Sequence, residues 1–283
     1  MKYRFWMLTL LLAALPCASL FAQIGVSLDF QKREFLCYEP VIAKVTLRND
    51  SGQTVIFGSN EQFRGDLKFE ILDRSKRILP LIDPEVRMVD GIVMRPGESQ
   101  DVFVYLNRFY DMSRPNRYDV KCIVSHSSQS KSYESNPKYL EVSPGVTEWK
   151  RTLGVPSFML DQDNPDQDKL RSFTVLSLQN NGRKNLYLAV EDVHFVYSVR
   201  SICTVMGNEN FSAEIDNLSR LHMLIPVMPK EFKYIVVTLS GDVDQESIYN
   251  STNTIPVLAR DPQSGRVYVV GGQEAQKEDE LKI

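Results

Sequence analysis

The chain is 283 residues long, 43% hydrophobic and 10% aromatic, with a formal net charge of −3. That is the composition of a folded protein and not of a disordered one. Its basic residues are scattered along the chain, so the electrostatic footprint of a nucleic-acid binder is missing and no nucleic-acid partner is expected.

Lys2 and Arg4 form a short positive start, and from Phe5 to Leu15 the chain is apolar apart from Thr9. Pro16 breaks that run, and Cys17-Ala18-Ser19-Leu20-Phe21-Ala22 leads to Gln23. This is the pattern of a cleavable signal peptide over residues 1–22, with the cut expected after Ala22. A run of about eleven apolar residues is too short to span ~30 Å of hydrocarbon, so export to a periplasmic or extracellular space is expected, with no transmembrane helix in the mature chain. The rival is a lipoprotein acylated at Cys17, but Pro16 stands where that signal needs a small residue. The cut takes Cys17 from the four cysteines and leaves Cys37, Cys122 and Cys203. An odd count is not a disulfide framework. Cys37 and Cys122 could pair in an oxidising compartment, yet three buried thiols are the favoured reading.

From Ile24 to about Ser143 short strands alternate with turns. Val41, Ala43, Val45 and Leu47 alternate with Ile42, Lys44, Thr46 and Arg48, and Asn49-Asp50-Ser51-Gly52 closes that strand. Leu67, Phe69 and Ile71 give a second strand, ended by Asp73-Arg74-Ser75-Lys76. In Arg95-Pro96-Gly97-Glu98, Pro presets φ and Gly accepts φ > 0. Val102, Val104 and Leu106 follow, then Tyr118, Val120, Cys122 and Val124, and last Tyr139-Leu140-Glu141-Val142. Several strands at this spacing, with no amphipathic helix between them, predict a β-sandwich.

Tyr38-Glu39-Pro40-Val41 leading into Val45-Thr46-Leu47-Arg48-Asn49, with Pro96-Gly97-Glu98 and Pro115-Asn116-Arg117-Tyr118-Asp119-Val120, resembles bacterial immunoglobulin-like domains. The nearest groups are the BsuPI-type proteinase-inhibitor domain and the CARDB-type adhesion domain, over about residues 24–143. The resemblance implies a fold far more than a function. Asn116 stands where such domains carry Gly; Asn tolerates the left-handed region next best, so the turn is expected to survive. Tyr118 is then expected as a core anchor and not a ligand contact.

Pro144-Gly145 marks a boundary, followed by the acidic stretch Asp161-Gln162-Asp163-Asn164-Pro165-Asp166-Gln167-Asp168. An EF-hand loop needs Gly at its sixth position and Glu at its twelfth; Asp166 and Ser172 stand there, so a solvated loop and no metal is expected. Beyond it a motif recurs: a polar turn, then the apolar strands Leu186-Tyr187-Leu188-Ala189-Val190, Leu221-His222-Met223-Leu224-Ile225 and Val267-Tyr268-Val269-Val270. Two have partner strands, Phe195-Val196-Tyr197-Ser198-Val199 and Phe232-Lys233-Tyr234-Ile235-Val236-Val237. Intervals of about 35 and 46 residues approach the period of propeller blades, but three units fall short of a closed propeller. Continuous apolar strands also arise in any sheet covered on both faces. The predicted organisation is all-β: signal peptide 1–22, immunoglobulin-like β-sandwich 23–145, linker and acidic loop 146–171, a second antiparallel β-domain of propeller-like hairpins 172–272, and a charged tail 273–283.

No catalytic, cofactor-binding or metal-ligating residues are assigned. Three histidines are present, His126, His194 and His222, without H-x-H or H-E-x-x-H spacing. His126 lies among Ser125, Ser127 and Ser128, but there is no G-x-S-x-G elbow. His222 reads as a satisfied core or edge histidine. Glu191-Asp192 beside His194 do not converge, since neighbours on a strand face opposite ways. Asn49, Asn210, Asn217 and Asn250 begin N-x-S/T sequons. The expected function is a non-enzymatic envelope module that binds protein or glycan. The alternatives are a proteinase inhibitor offering residues 84–91 as its loop, and a carbohydrate-active enzyme using carboxylates.

Overall fold

The computed structural model describes residues 24–58, 60, 63–127, 131–160, 169–180, 182–205 and 210–275. The expected signal peptide, the acidic stretch 161–168 and the tail from 276 onward lie outside the described residues. The fold is all-β, and among the described residues no sheet closes into a barrel.

The strands run β1 (Ile24–Phe30), β2 (Glu34–Leu36), β3 (Ile42–Asn49), β4 (Val55–Phe57), β5 (Gly65–Leu72), β6 (Ile92–Met94), β7 (Ser99–Tyr105), β8 (Asn116–His126), β9 (Tyr133–Glu134) and β10 (Lys138–Ser143). They continue with β11 (Val146–Gly154), β12 (Leu170–Asn180), β13 (Arg183–Glu191), β14 (Val196–Val205), β15 (Ser212–Ile215) and β16 (Leu221–Met228). Last come β17 (Glu231–Val237), β18 (Val243–Asn250), β19 (Val257–Arg260), β20 (Val267–Val270) and β21 (Gln273–Glu274). Contacts divide the chain into two compact units: Met1–Arg33, Pro40–Asp111 and Asn116–Glu141 form one, and Glu34–Glu39, Met112–Pro115 and Val142–Ile283 the other.

In the first unit β1, β3 and β7 form one antiparallel sheet, while β5, β8 and β10 run side by side in another. The alternation read from the sequence is the alternation of burial: Ala43, Val45 and Leu47 of β3, Leu67, Phe69 and Ile71 of β5, and Tyr118, Val120, Cys122 and Val124 of β8 are all buried. Tyr118 is thus a core residue. Gly97 takes the expected positive φ, +78°, in the turn before β7. Asn116 does not take the left-handed conformation. It opens β8, and its Oδ1 accepts the backbone N–H groups of Arg74 and Arg117, so it supports the turn through its side chain instead of through φ.

Two buried polar residues tie this unit together. Tyr110 sends its hydroxyl to the backbone of Phe69, donating to the carbonyl at 2.7 Å and accepting from the N–H at 3.1 Å. It thereby satisfies both backbone groups of one residue of β5. Tyr110→Phe removes that partner and leaves both groups buried; we expect a loss of about 1–3 kcal/mol, read from the urea midpoint at unchanged m-value. Asn49, fully buried, closes the loop after β3. Its Nδ2 donates to the carbonyls of Gln53 (2.8 Å) and Met94 (2.9 Å), and its Oδ1 accepts from the N–H and hydroxyl of Ser51.

In the second unit β11-β12-β13-β14 and β15-β16-β17-β18 are two antiparallel meanders, the latter extended by β21. Phe173, Val175, Leu186, Leu188, Val190 and Ile202 from the first meet Leu221, Met223, Ile225, Ile235 and Val237 from the second in one apolar core. Both meanders are also covered on their outer faces, which is why β13 and β16 read as continuous apolar runs. Leu36 packs on Leu178 and Tyr187 behind β12 and β13. The β19–β20 ribbon sets Leu258 and Val269 against Leu224, Tyr234 and Val236 behind β16 and β17.

The recurring motif occupies three inequivalent places: the third strand of one meander, the second of the other, and one arm of the ribbon. Nor is all of 146–171 a linker, since Val146–Gly154 form β11, paired along β12. Its sequence hid this for a physical reason. It is an edge strand that turns only Trp149 and Leu153 toward the core, and an irregularity between Thr147 and Trp149 breaks the alternation.

Candidate functional sites

A buried polar cluster of the second unit is centred on His222, which is 3% exposed on the outer face of β16. Its Nδ1 accepts the Tyr234 hydroxyl at 2.7 Å, and its Nε2 donates to Asp216 Oδ2 at 3.1 Å. Asp216, with a side chain 1% exposed, directly follows β15 and closes the turn into β16. Its Oδ1 accepts the N–H groups of Leu218 and Arg220, and its Oδ2 also accepts the Arg220 guanidinium at 2.8 Å. Arg220 reaches on to Asp244 at 2.5 Å.

The electrostatics follow from this geometry. Burial alone would raise the Asp216 carboxyl, but the Arg220 backbone N–H, the His222 donor and the Arg220 guanidinium outweigh it and hold it below the usual carboxylate range. Burial holds His222 below the usual histidine range despite Asp216. Tyr234 is pushed up to about 12 by burial. The hydroxyl–imidazole–carboxylate order is that of a nucleophile triad, yet the hydroxyl is a buried phenol and the carboxylate is saturated by donors from its own hairpin. The arrangement locks a turn.

The remaining histidines do not join it. His126 is buried, its Nε2 2.8 Å from the Ile56 carbonyl and its ring edge-on to Phe57, so it links β8 to β4. His194 sits at the β13–β14 tip, where Asp192 Oδ1 accepts the N–H groups of His194 and Phe195 and Oδ2 accepts the Tyr197 hydroxyl. Arg171, buried, stacks 3.8 Å from the Tyr197 ring centroid and donates to the Leu239 carbonyl. That clamp presents Val193 and Phe195 to solvent, 80% and 65% exposed. Glu191, Asp192 and His194 stay apart, as neighbours on a strand should. Glu191 accepts from Lys150 (2.9 Å) and Thr174 (2.8 Å), so the three do not converge on a common point.

Cys37, Cys122 and Cys203 are free thiols. Burial pushes Cys122 up to about 12 and Cys203 to about 11, which leaves both unreactive near neutrality. Among the described residues no group of three His, Cys, Asp or Glu side chains is arranged to hold a metal ion, and no helix is long and apolar enough to cross a membrane. Of residues 84–91, Arg87 donates to the carbonyls of Gly58 and Gly65 and Val89 is buried, leaving Pro84, Glu85 and Val86 as the freely exposed stretch.

Among the described residues an open recess lies on the first unit, on the outer face of β5, β8 and β10. It encloses about 390 Å³ and is bordered by Glu70, Lys76, Asp119, Lys121, Lys138 and Tyr139. Its lysines are neutralised locally: Lys76 by Asp119 (2.6 Å), Lys121 by Glu70 and Glu134 (3.1 Å each), and Lys138 by Asp29 (3.6 Å). The hydrogen bonds that Lys121 donates to Glu70 and Glu134 hold its ammonium above the ordinary lysine range. Sequence reasoning placed Tyr139 on a strand and missed the recess, which gathers residues from β5, β8 and β10. Compared with known protein families and with curated proteins, the chain matches none.

Proposed function

We propose that the chain is an exported, non-catalytic binding protein that engages protein or glycan at the cell envelope, with an immunoglobulin-like module as its first unit. The observation that carries the reading is a contrast. The histidine- and carboxylate-centred clusters are consumed in locking hairpins, whereas the recess on the first unit is open and bordered by polar side chains. Concave, partly polar surfaces on a rigid sheet are binding surfaces before they are anything else. Two antiparallel sheets, each with one buried face, support the immunoglobulin-like assignment of the first unit.

The test is capture from envelope extract, together with a glycan array, using the purified mature chain. Retention of a defined glycan or protein is expected, and silence in both overturns the reading. Export has its own test in the mass of the mature N-terminus. A chain starting at Gln23 is expected, acylated Cys17 would make it a lipoprotein, and a retained Met1 would refute export.

A further inference from the structure

Tyr139 stands at the rim of the recess, 42% exposed, with two arginines against its ring. The guanidinium carbon of Arg117 lies 4.5 Å from its ring centroid and that of Arg33 lies 5.0 Å away, and Arg33 Nη1 donates to the Tyr139 hydroxyl at 2.8 Å. Stacking of this kind fixes the plane of each guanidinium and lowers the entropy lost when its N–H edge is used. All three residues belong to the first unit.

The charge arrangement is asymmetric. Every lysine that borders the recess has a carboxylate partner, whereas among the described residues neither Arg33 nor Arg117 has a carboxylate within ion-pair distance. Three lysines with four carboxylate partners leave one surplus negative charge, so with the two guanidiniums the local sum is positive by one. The cations without an ion-pair partner are the guanidiniums at one edge of the recess. Their planar donors match the oxygens of a carboxylate or sulfate. The body of the recess offers paired ammonium and carboxylate groups with small apolar patches from Leu72, Val120 and Pro137. Those groups suit the hydroxyls and C–H faces of a sugar, and about 390 Å³ is room for a small ligand.

We propose that the Arg33–Tyr139–Arg117 stack and the adjoining recess bind an acidic saccharide, the two guanidiniums taking its carboxylate or sulfate and the recess its ring. This rests on the reading of the chain as a binding protein and names the ligand class of its open site.

The experiment is calorimetric titration of the purified mature chain with an oligogalacturonate, a sulfated oligosaccharide, a neutral dextran oligosaccharide and oligoglutamate. Binding of at least one acidic saccharide is expected, weakening as salt is raised, with no uptake of the neutral one. Arg33→Gln/Arg117→Gln is expected to weaken it by about tenfold or more at unchanged thermal unfolding, since each charge-assisted contact is lost from an exposed site. Tyr139→Leu, which keeps both charges but removes their stacking partner, should lose affinity by a smaller factor.

Four results would overturn the assignment: no binding of either acidic saccharide, equal binding by the double variant, preference for dextran, or oligoglutamate bound as tightly. Envelope capture that persists in the double variant while acidic saccharides fail would sink this site and leave the binding-protein reading intact.

Discussion

Gly65→Ala is expected to destabilise the first unit by about 3 kcal/mol, the upper part of the range for overpacking a tight core. Gly65 opens β5 opposite His126 of β8, and the Phe57 ring closes on it with Cδ1 nearest. A Cβ built there would sit 2.8 Å from both Cγ and Cε1 of that ring, closer than real Cβ contacts come. Phe57 is fully buried and its ring also meets His126, so it has nowhere to withdraw. The strand tolerates glycine because an aromatic side chain covers the bare backbone. Phe57→Ala alone should cost about 3–5 kcal/mol through the cavity it leaves. In the double variant the new methyl partly fills that cavity, so the two losses should sum to clearly more than the measured one. Urea unfolding of the two single variants and the double variant reads this directly. Strict additivity would mean that the ring and the glycine are not in contact.

Stability should fall as pH drops below about 6.5, the unfolded histidine value, and Asp216→Asn should strongly destabilise the second unit. His222 has a folded-state pKa below its unfolded value. Between those two values the unfolded chain binds a proton that the folded chain does not, so acidification favours unfolding. Asp216 has the opposite chemistry and the same sign of consequence. Its folded pKa is lowered, so its contribution is present above the ordinary aspartate range and is lost as pH falls through the folded value. Neutralising Asp216 leaves Arg220, His222 and two backbone N–H groups facing a weaker acceptor that also brings a buried amide NH2 donor. Breaking a buried pair of this kind costs roughly 3–5 kcal/mol. Denaturation midpoints at pH 7.5 and pH 5.5 check the first claim. His222→Gln should flatten the difference between them, and an unchanged difference would remove His222 as its source.

Much of the fold was legible because burial writes period-2 patterns into the chain. β3, β5 and β8 each turn one face inward, and their residues alternate accordingly. β13 and β16 were legible as strands for the opposite reason: both of their faces are covered, so alternation disappears. What misled was equating similar apolar runs with similar positions, since Val267–Val270 form one arm of a ribbon and not a sheet interior. The His222 lock left a signal that went unused. His222 is the second residue of β16, and Arg220 and Asp216 stand in the turn just before it, so the sequence already brings all three to one end of the hairpin. The Arg33–Tyr139–Arg117 stack left none, because 106 residues separate Arg33 from Tyr139 and only the sheet brings them together.

The buried Asn49 has a consequence for how this protein is made. It begins the sequence Asn49-Asp50-Ser51, and its Nδ2 is the atom to which an oligosaccharyltransferase attaches a glycan. In the folded chain that nitrogen donates to Gln53 and Met94 and has no access to solvent. A eukaryotic secretory host modifies the chain as it emerges, before the loop after β3 has closed. A sugar added there would occupy the space of two hydrogen bonds and hold the unit open. Material from such a host should carry Asn49 bare in its soluble fraction and glycosylated in its retained, misfolded fraction. Bacterial expression avoids the competition altogether.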